Sequence, residues 1–327
     1  MARGVRIAPQ RAGGQCGVSR LLALERRGKR RGGTMKTLAV IANCGKPRAA
    51  QVLQRLAARA RAAGWALAAD APTAALLPDA AALPTPELFE RADAVLALGG
   101  DGTMLRAVRE LDGRDKPVLG VNIGGLGFLT SIGEEELDGA IEAMSRGRMA
   151  FRTHAIAECR VERAGAEPAV YRALNDVVIT RGASPRMITL ELAVNGDAVT
   201  SYACDGLIVA TPAGSTGHSL SAGGPILAPE TDAFVITLIC PHTLSSRPLI
   251  VPDRSEIAVT VASLGGPQTL SVDGQVGQAL RDGDRVLVRR SDRSVRFMHL
   301  PGHSYFAVLR RKLHWSGSNV QARQSRS

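Results

Sequence analysis

Ala94-Val95-Leu96-Ala97-Leu98-Gly99-Gly100-Asp101-Gly102-Thr103 joins an apolar run to a turn holding three glycines and one carboxylate. The run reads as a short buried strand. Met104, Leu105, Val108 and Leu111 after it fall at helical spacing. The turn therefore links the C-terminal end of a strand to a helix N-terminus. Unpaired backbone N–H groups at such an end favour phosphate, and glycines let a ligand approach the backbone closely. An acid facing phosphate is unfavourable unless it binds a metal ion or takes a proton, so the turn points to phosphoryl transfer. Gly99, Gly100, Gly102 and Thr103 are its phosphate-binding residues.

Outward from this turn, strands and helices alternate between Met35 and about Met149. A strand at Leu38–Ala42 precedes a helix at Ala49–Ala63, and a Pro/Ala-rich connection runs from Pro72 to Pro86. After the glycine turn come a strand at Val118–Ile123, a second turn (Gly124-Gly125-Leu126-Gly127-Phe128) and a helix at Glu134–Met144. Such alternation predicts an open, mostly parallel sheet whose ligands sit beyond the carboxyl ends of the strands. After Phe151 short alternating runs with Gly, Asn and Pro punctuation predict a β-rich second domain of packed sheets. The expected division is a basic extension over 1–34, an α/β domain over 35–150, a β-rich domain over 151–300, and a C-terminal segment with a basic tail over 301–327.

The net charge of +11 lies in the tails. Residues 1–34 carry +8 and residues 310–327 carry +5, leaving the 275 residues between them at −2. With aromatics at 3%, neither a basic binding face nor a stacking platform for nucleic acid is expected in the body. The extension has the Arg-rich character of a transit peptide, of a disordered arm, or of a start assigned upstream of Met35. The longest apolar run, Phe234 to Cys240, is seven residues, too short to span a bilayer. Five scattered cysteines without a C-x-x-C pair give neither a disulfide framework nor a zinc site and fit a reducing cytoplasm.

A second signal is the strand-to-loop stretch from Cys204-Asp205-Gly206 through Thr211-Pro212-Ala213-Gly214-Ser215-Thr216-Gly217-His218-Ser219-Leu220-Ser221. Its hydroxyls and glycines suit sugar and phosphate oxygens. Asn175-Asp176 stands within an apolar run read as one strand, Ala173 to Ile179, where a polar pair needs partners. Asp273-Gly274-Gln275 reads as a turn after a strand. No G-x-x-x-x-G-K-[ST] loop and no metal-ligand constellation occurs.

In order and approximate spacing, the blocks Gly99–Thr103, Leu174-Asn175-Asp176, Asp205-Gly206-Leu207, Thr211–Thr216, Ser219–Pro225, Pro241–Leu249 and Asp273-Gly274-Gln275 resemble the NAD kinase family. The resemblance covers about residues 35–310. It implies transfer of the ATP γ-phosphoryl group to the adenosine-ribose 2′-hydroxyl of NAD, with Asp101 as catalytic base and Mg²⁺ or another divalent metal accompanying ATP. It implies NAD binding by Asp101, Gly102, Asn175, Asp176, Arg186, Asp205, Thr216, Gly217, His218, Ser219, Leu220, Ser221 and Gln275. Assembly into homodimers or homotetramers in the cytoplasm is likewise implied, without nucleic-acid or membrane partners.

Three positions depart from the family pattern. Asp176 stands where Glu is frequent, Gly217-His218 replaces a frequent Ala-Tyr pair, and Ala203 occupies a place where some relatives have Arg. The last leaves the choice between NAD and NADH open. The Gly99–Thr103 block alone also resembles diacylglycerol-type lipid kinases and phosphofructokinases. A lipid kinase, a non-catalytic NAD-binding protein and a basic-tailed nucleic-acid binder are therefore the alternatives.

Overall fold

The computed structural model describes residues 36–125, 127–182, 186–243, 245–262 and 268–315. The basic extension, Met35, the tail after residue 315, Leu126 of the second glycine turn and Leu244 of the 241–249 block lie outside the described residues. The first half contains β1 (Lys36–Ala42), α1 (Ala49–Ala62), β2 (Trp65–Ala69), α2 (Ala71–Ala74), β3 (Ala81–Ala82) and α3 (Thr85–Arg91). It continues with β4 (Ala94–Gly99), α4 (Asp101–Leu111), β5 (Val118–Asn122), β6 (Ile132–Gly133), a 3-10 turn (Glu134–Glu136) and α5 (Leu137–Ser145). The expected Pro72–Pro86 connection is thus corrected to two short helices around a two-residue strand. Pro72 and Pro86 sit in helix first turns, where a missing N–H leaves no bond unmade, and the Asp70 carboxylate caps α2 by accepting from Thr73 N–H at 3.2 Å.

These strands pair in parallel in the order β3-β2-β1-β4-β5-β6. Alternate residues of each strand face opposite layers. Leu38, Val40, Leu96 and Leu98 pack under α1 and α5, while Ala39, Ile41, Val95 and Ala97 pack under α3 and α4. Sheet growth reverses between β1 and β4, the switch point at which open α/β sheets take ligands. Asn43 follows β1 there, its N–H donating to the Leu98 carbonyl at 2.8 Å, beside the glycine turn after β4.

The second half contains β7 (Ala150–Glu162), β8 (Ala169–Ala173), β9 (Asp176–Thr180), β10 (Ile188–Val194), β11 (Asp197–Cys204), β12 (Gly206–Ala210), a 3-10 turn (Gly214–Thr216) and α6 (His218–Ser221). After these come β13 (Ala233–Ile239), β14 (Leu249–Pro252), β15 (Ile257–Val261), β16 (Gln268–Val272), β17 (Val276–Leu280), β18 (Arg285–His299) and α7 (Tyr305–Lys312). An antiparallel sheet runs β14-β13-β12-β9-β16-β17. The antiparallel series β11-β10-β15-β18 extends the first sheet, because Phe297 of β18 pairs with Val118 of β5. The fold is an α/β half followed by a β-rich half, with one sheet hydrogen-bonded across the change of rhythm near residue 150. The two layers of the β-rich half close on Val177, Ile179, Leu207, Val209 and Phe234 against Leu190, Leu192, Val259 and Val286.

Two expected strands, Arg285–Arg290 and Val295–His299, are one strand with an irregularity between Arg290 and Ser294. The expected strand Ala173–Ile179 is instead two, with Leu174 and Asn175 between β8 and β9. That break leaves the backbone of Leu174 and Asn175 outside either ladder. Phe297 is 1% exposed where the two halves of the sheet join. Phe297→Ala is expected to lower unfolding free energy by about 3–5 kcal/mol, measured by urea denaturation; a loss near zero would contradict its packing at the join.

Candidate functional site

Strand register brings the sequence blocks to one edge. Ala210 of β12 pairs with Asp176 of β9, and Val177 pairs with Val272 of β16. The loops after β12, before β9 and after β16 therefore stand side by side. Asp273 (φ +52°) and Gly274 (φ +64°) form the tight turn between β16 and β17. The Asp273 carboxylate accepts from the N–H groups of Leu174, Asn175 and Asp176 at 2.9, 2.7 and 3.1 Å. Thr211 completes the join, its hydroxyl donating to the Leu174 carbonyl at 2.5 Å and its N–H to the Asn175 carbonyl at 2.9 Å. A Cβ at Gly214 would lie 2.0 Å from the Asn175 carbonyl oxygen, so only glycine permits this approach.

At the switch point Asp101 is the first residue of α4, half-buried, after the extended Gly100. Its two carboxylate oxygens accept from Phe128 N–H at 2.9 Å and Leu129 N–H at 3.0 Å. Each oxygen keeps a second lone pair for a ligand proton. A Cβ at Gly127 would lie 2.1 Å from Asp101 Oδ1, which explains the glycine there. The buried Asn122 shapes the same turn: its Oδ1 accepts from Gly124 N–H at 2.8 Å and its Nδ2 donates to the Gly125 carbonyl at 2.8 Å.

Gln275 joins the two parts of the site. Its Nε2 donates to the Gly102 carbonyl at 2.8 Å, and its Oε1 accepts from the Arg109 guanidinium. Asp101, Gly102, Asn175, Asp176, Thr216, Gly217 and Gln275 thus fall within one connected set of loops. A Cβ at Gly217 would stand 3.7 Å from Asn175 Nδ2 and 3.9 Å from Asp176 Oδ2, so both side chains face Gly217. Asn175 Oδ1 is buried without a hydrogen-bond partner among the described residues. An unmet buried acceptor destabilises by about 1–3 kcal/mol unless a donor reaches it.

The hydroxyl-rich loop divides by orientation. Ser215 Oγ donates to the Pro212 carbonyl and accepts from Leu227 N–H, Thr216 Oγ1 donates to the Ala213 carbonyl, and Ser219 Oγ bonds Thr237 Oγ1 at 2.9 Å. His218 and Ser221 are exposed, and Leu220 is half-buried. Asp205 stands at the other end of β12 from Thr211, on the order of 15–20 Å away at about 3.4 Å per strand residue. There its carboxylate pairs with Arg181 at 2.9 Å. Arg186 is exposed ahead of β10, whose Ile188 pairs with Cys204 next to Asp205. The single chain does not bring these two to Asn175 and Asp176.

Several contributors carried no sequence signal of their own. Lys46 Nζ lies 3.5 Å from where a Gly124 Cβ would stand, a cation beside the second glycine turn. Asp273 carries a turn signal and a place in a family-like block but no sign of its three amide bonds, and Arg109 reads only as one arginine on a helix. Helix α7 brings Lys312 over the Phe128 ring at 5.1 Å and the Tyr305 hydroxyl to the Leu227 carbonyl at 3.1 Å. Among the described residues no group of three or more His, Cys, Asp and Glu is placed to hold a metal ion.

A family model described as the ATP-NAD kinase N-terminal domain matches residues 38–149, and one described as the ATP-NAD kinase C-terminal domain matches residues 174–300. The NAD kinase of Heliobacterium modesticaldum is 41% identical over 285 residues, covering 85% of this chain and 99% of that protein. That of Gemmatimonas aurantiaca is 44% identical over 228 residues, covering 69% and 78%. Yeast NADH kinase complexed with NADH superposes with a TM-score of 0.81 at 26% identity, covering 90% of this chain and 91% of its own. An NAD kinase from Archaeoglobus fulgidus in complex with ATP superposes with a TM-score of 0.70 at 26% identity, covering 86% and 100%.

Burial, and then the neighbouring Asp273 charge, push the Asp176 carboxyl up to about 7. Burial also raises Asp273, against its three amides and the Arg109 guanidinium. The folded chain therefore keeps a proton that the unfolded chain releases above about pH 4. Stability is expected to fall as pH rises from there to about 7 and to level off above it. Urea unfolding at a series of pH values checks this, and Asp176→Asn should flatten the slope; an equally steep slope in the variant would remove Asp176 as its source.

Proposed function

The chain belongs to the NAD kinase family and is an ATP-dependent NAD kinase, and within that activity we propose that Asp101 takes the proton of the adenosine-ribose 2′-hydroxyl of NAD. The hydroxyl oxygen attacks the γ-phosphorus of ATP, the bond from that phosphorus to the β–γ bridging oxygen breaks, and ADP and NADP leave. A carboxylate is a weak base toward a sugar hydroxyl, so the proton departs late, in a loose transition state. General-base assistance of this kind contributes about 10²–10⁴-fold. The rest comes from positioning and charge neutralisation. Support comes above all from the Gln275 bridge, which ties the turn bearing Asp101 to the loops bearing Asn175 and Asp176.

In this reading the Gly99–Thr103 turn, the second glycine turn and Lys46 receive the ATP phosphates. The unmet Asn175 Oδ1 accepts from a donor on the adenosine half of NAD, and Asp176, its carboxyl pushed up by burial, faces its ribose. Gly102, Thr216, Gly217, His218, Ser219, Leu220, Ser221 and Gln275 line that dinucleotide site, with Asp205 and Arg186, beyond the far end of β12, as contacts more distant along the dinucleotide. A divalent ion such as Mg²⁺ fits a site with a single carboxylate at the phosphate turn, since it is commonly held by one or two carboxylates plus substrate phosphates. The phosphate oxygens would hold it, with one Asp101 oxygen beside it and the other left to take the proton, and it would supply charge neutralisation. We further propose a homodimer or homotetramer acting in the cytoplasm; no helix among the described residues is long and apolar enough to cross a membrane. The lipid-kinase and binding-only alternatives are not favoured beside relatives 40–44% identical that are NAD kinases.

The decisive experiment supplies ATP, Mg²⁺ and NAD and detects NADP with an NADP-specific dehydrogenase, wild type beside Asp101→Asn. Asparagine keeps one oxygen acceptor for the amides of the second turn and cannot take the proton. Turnover is expected to drop by at least about 10²-fold, with NAD affinity by calorimetry near wild type. Near-normal turnover in the variant would sink the assignment of Asp101 as base.

A further inference from the structure

Beside the C-terminal half of α4, behind the loops that carry Asn175 and Asp176, lies a cavity of about 260 Å³. Its buried wall is apolar, formed by Val108, Ile156 and Val295. Its polar lining is cationic: Arg109, Arg114, Arg172 and Arg293 stand against two carboxylates, Asp112 and Asp273. Both acids are engaged, Asp273 by three backbone amides and Asp112 by Arg172 at 2.9 Å.

The arginines are held without being neutralised in full. Arg114 donates to the Leu111 carbonyl and Arg293 to the Gly113 carbonyl, each at 3.2 Å. Carbonyls orient a guanidinium and leave its charge. The outer carboxylates Glu90 and Asp292, 3.9 Å from Arg114 and 3.6 Å from Arg293, are largely exposed and screened by water. Arg172 Nε is buried with no hydrogen-bond partner among the described residues. A donor of a charged group left this way calls for an acceptor.

We propose that this cavity binds a small organic phosphate: a dianionic head held by the guanidinium groups, with an apolar body against Val108, Ile156 and Val295. Guanidinium forks match phosphate oxygens in pairs, and arginines converging from α4, β8 and β18 suit a tetrahedral anion better than a planar one. The volume lies below the ~300–1,000 Å³ of pockets for drug-sized ligands, so neither NAD nor ATP is the occupant. Arg109 and Asp273 belong both to this wall and to the bonds that hold Gly102 and residues 174–176, which makes the cavity the back of the substrate site rather than part of it.

Phenyl phosphate is the probe, titrated calorimetrically into the full chain with NAD present in excess, beside Arg172→Met, Ser294→Glu and Lys46→Met. Arg172 is half-buried, and Ser294→Glu, at an exposed position, places a repelling carboxylate on the cavity wall while leaving every arginine in place. Saturable binding is expected, weakened roughly tenfold or more by each of the first two changes and unaltered by Lys46→Met. Inorganic phosphate should bind more weakly than phenyl phosphate. Absence of saturable binding overturns the proposal. So does loss in Lys46→Met with retention in Arg172→Met, which would put the anion at the nucleotide turns. Equal affinity for the two phosphates would overturn the apolar half of the site.

Discussion

The Asp273 carboxylate holds three consecutive amide groups, and much of the site takes its position from that contact. Leu174 and Asn175 lie in the gap between two strands and Asp176 opens the second, so their N–H groups need partners outside the ladders. A charged acceptor at the tip of the neighbouring hairpin supplies all three. Hydrogen bonds to a charged group contribute about 1.5–3 kcal/mol each, enough to offset the unfavourable closeness of a second buried acid, Asp176. Two residues further on, Gln275 carries the same hairpin onto Gly102. One turn therefore aligns the acceptor loops and registers them against the phosphate turn.

Asp101 is oriented by the same economy of backbone donors. Fixed by Phe128 and Leu129, its carboxylate is aimed before any substrate arrives, the kind of preorganisation that lowers the reorganisation needed during reaction. The second glycine turn thus has two roles. It leaves room for the acid by lacking a side chain at Gly127, and its following amides hold the acid still. Helix α7 braces this arrangement from outside, through Lys312 over Phe128.

The sequence made the local parts legible and left the long-range ones hidden. The strand–turn–helix around Asp101 is encoded within some twenty residues by apolar spacing and glycines, and its place at a switch point follows from strand–helix alternation. Asn175-Asp176 stood out as a polar pair in an apolar run, and the break between β8 and β9 is the physical reason for it. The Ala-rich strand β2 and the proline-started helices α2 and α3 escaped because their residues carry weak or conflicting propensities. The reach of Gln275, the position of Lys46 beside Gly124 and the packing of α7 depend on contacts between distant segments. The inward-turned hydroxyls of Ser215 and Ser219 were equally unreadable, since composition records a hydroxyl and not its direction.

Strand β18 lies between β15 and β5, and its Phe297 meets Val118, 179 positions earlier in the chain. During synthesis β5 is made long before that neighbour exists. Beyond the short pairing with β6 at Val121 and Asn122, the Val118 end of β5 has an open edge until β18 emerges, and open apolar edges are templates for pairing with other chains. Closing so long a loop is also slow, because chain entropy must be lost before the distant contact returns any stabilisation. The nascent protein therefore passes through a long interval with an adhesive edge, and its yield in a crowded cell depends on how well that edge is sheltered until the final strand arrives.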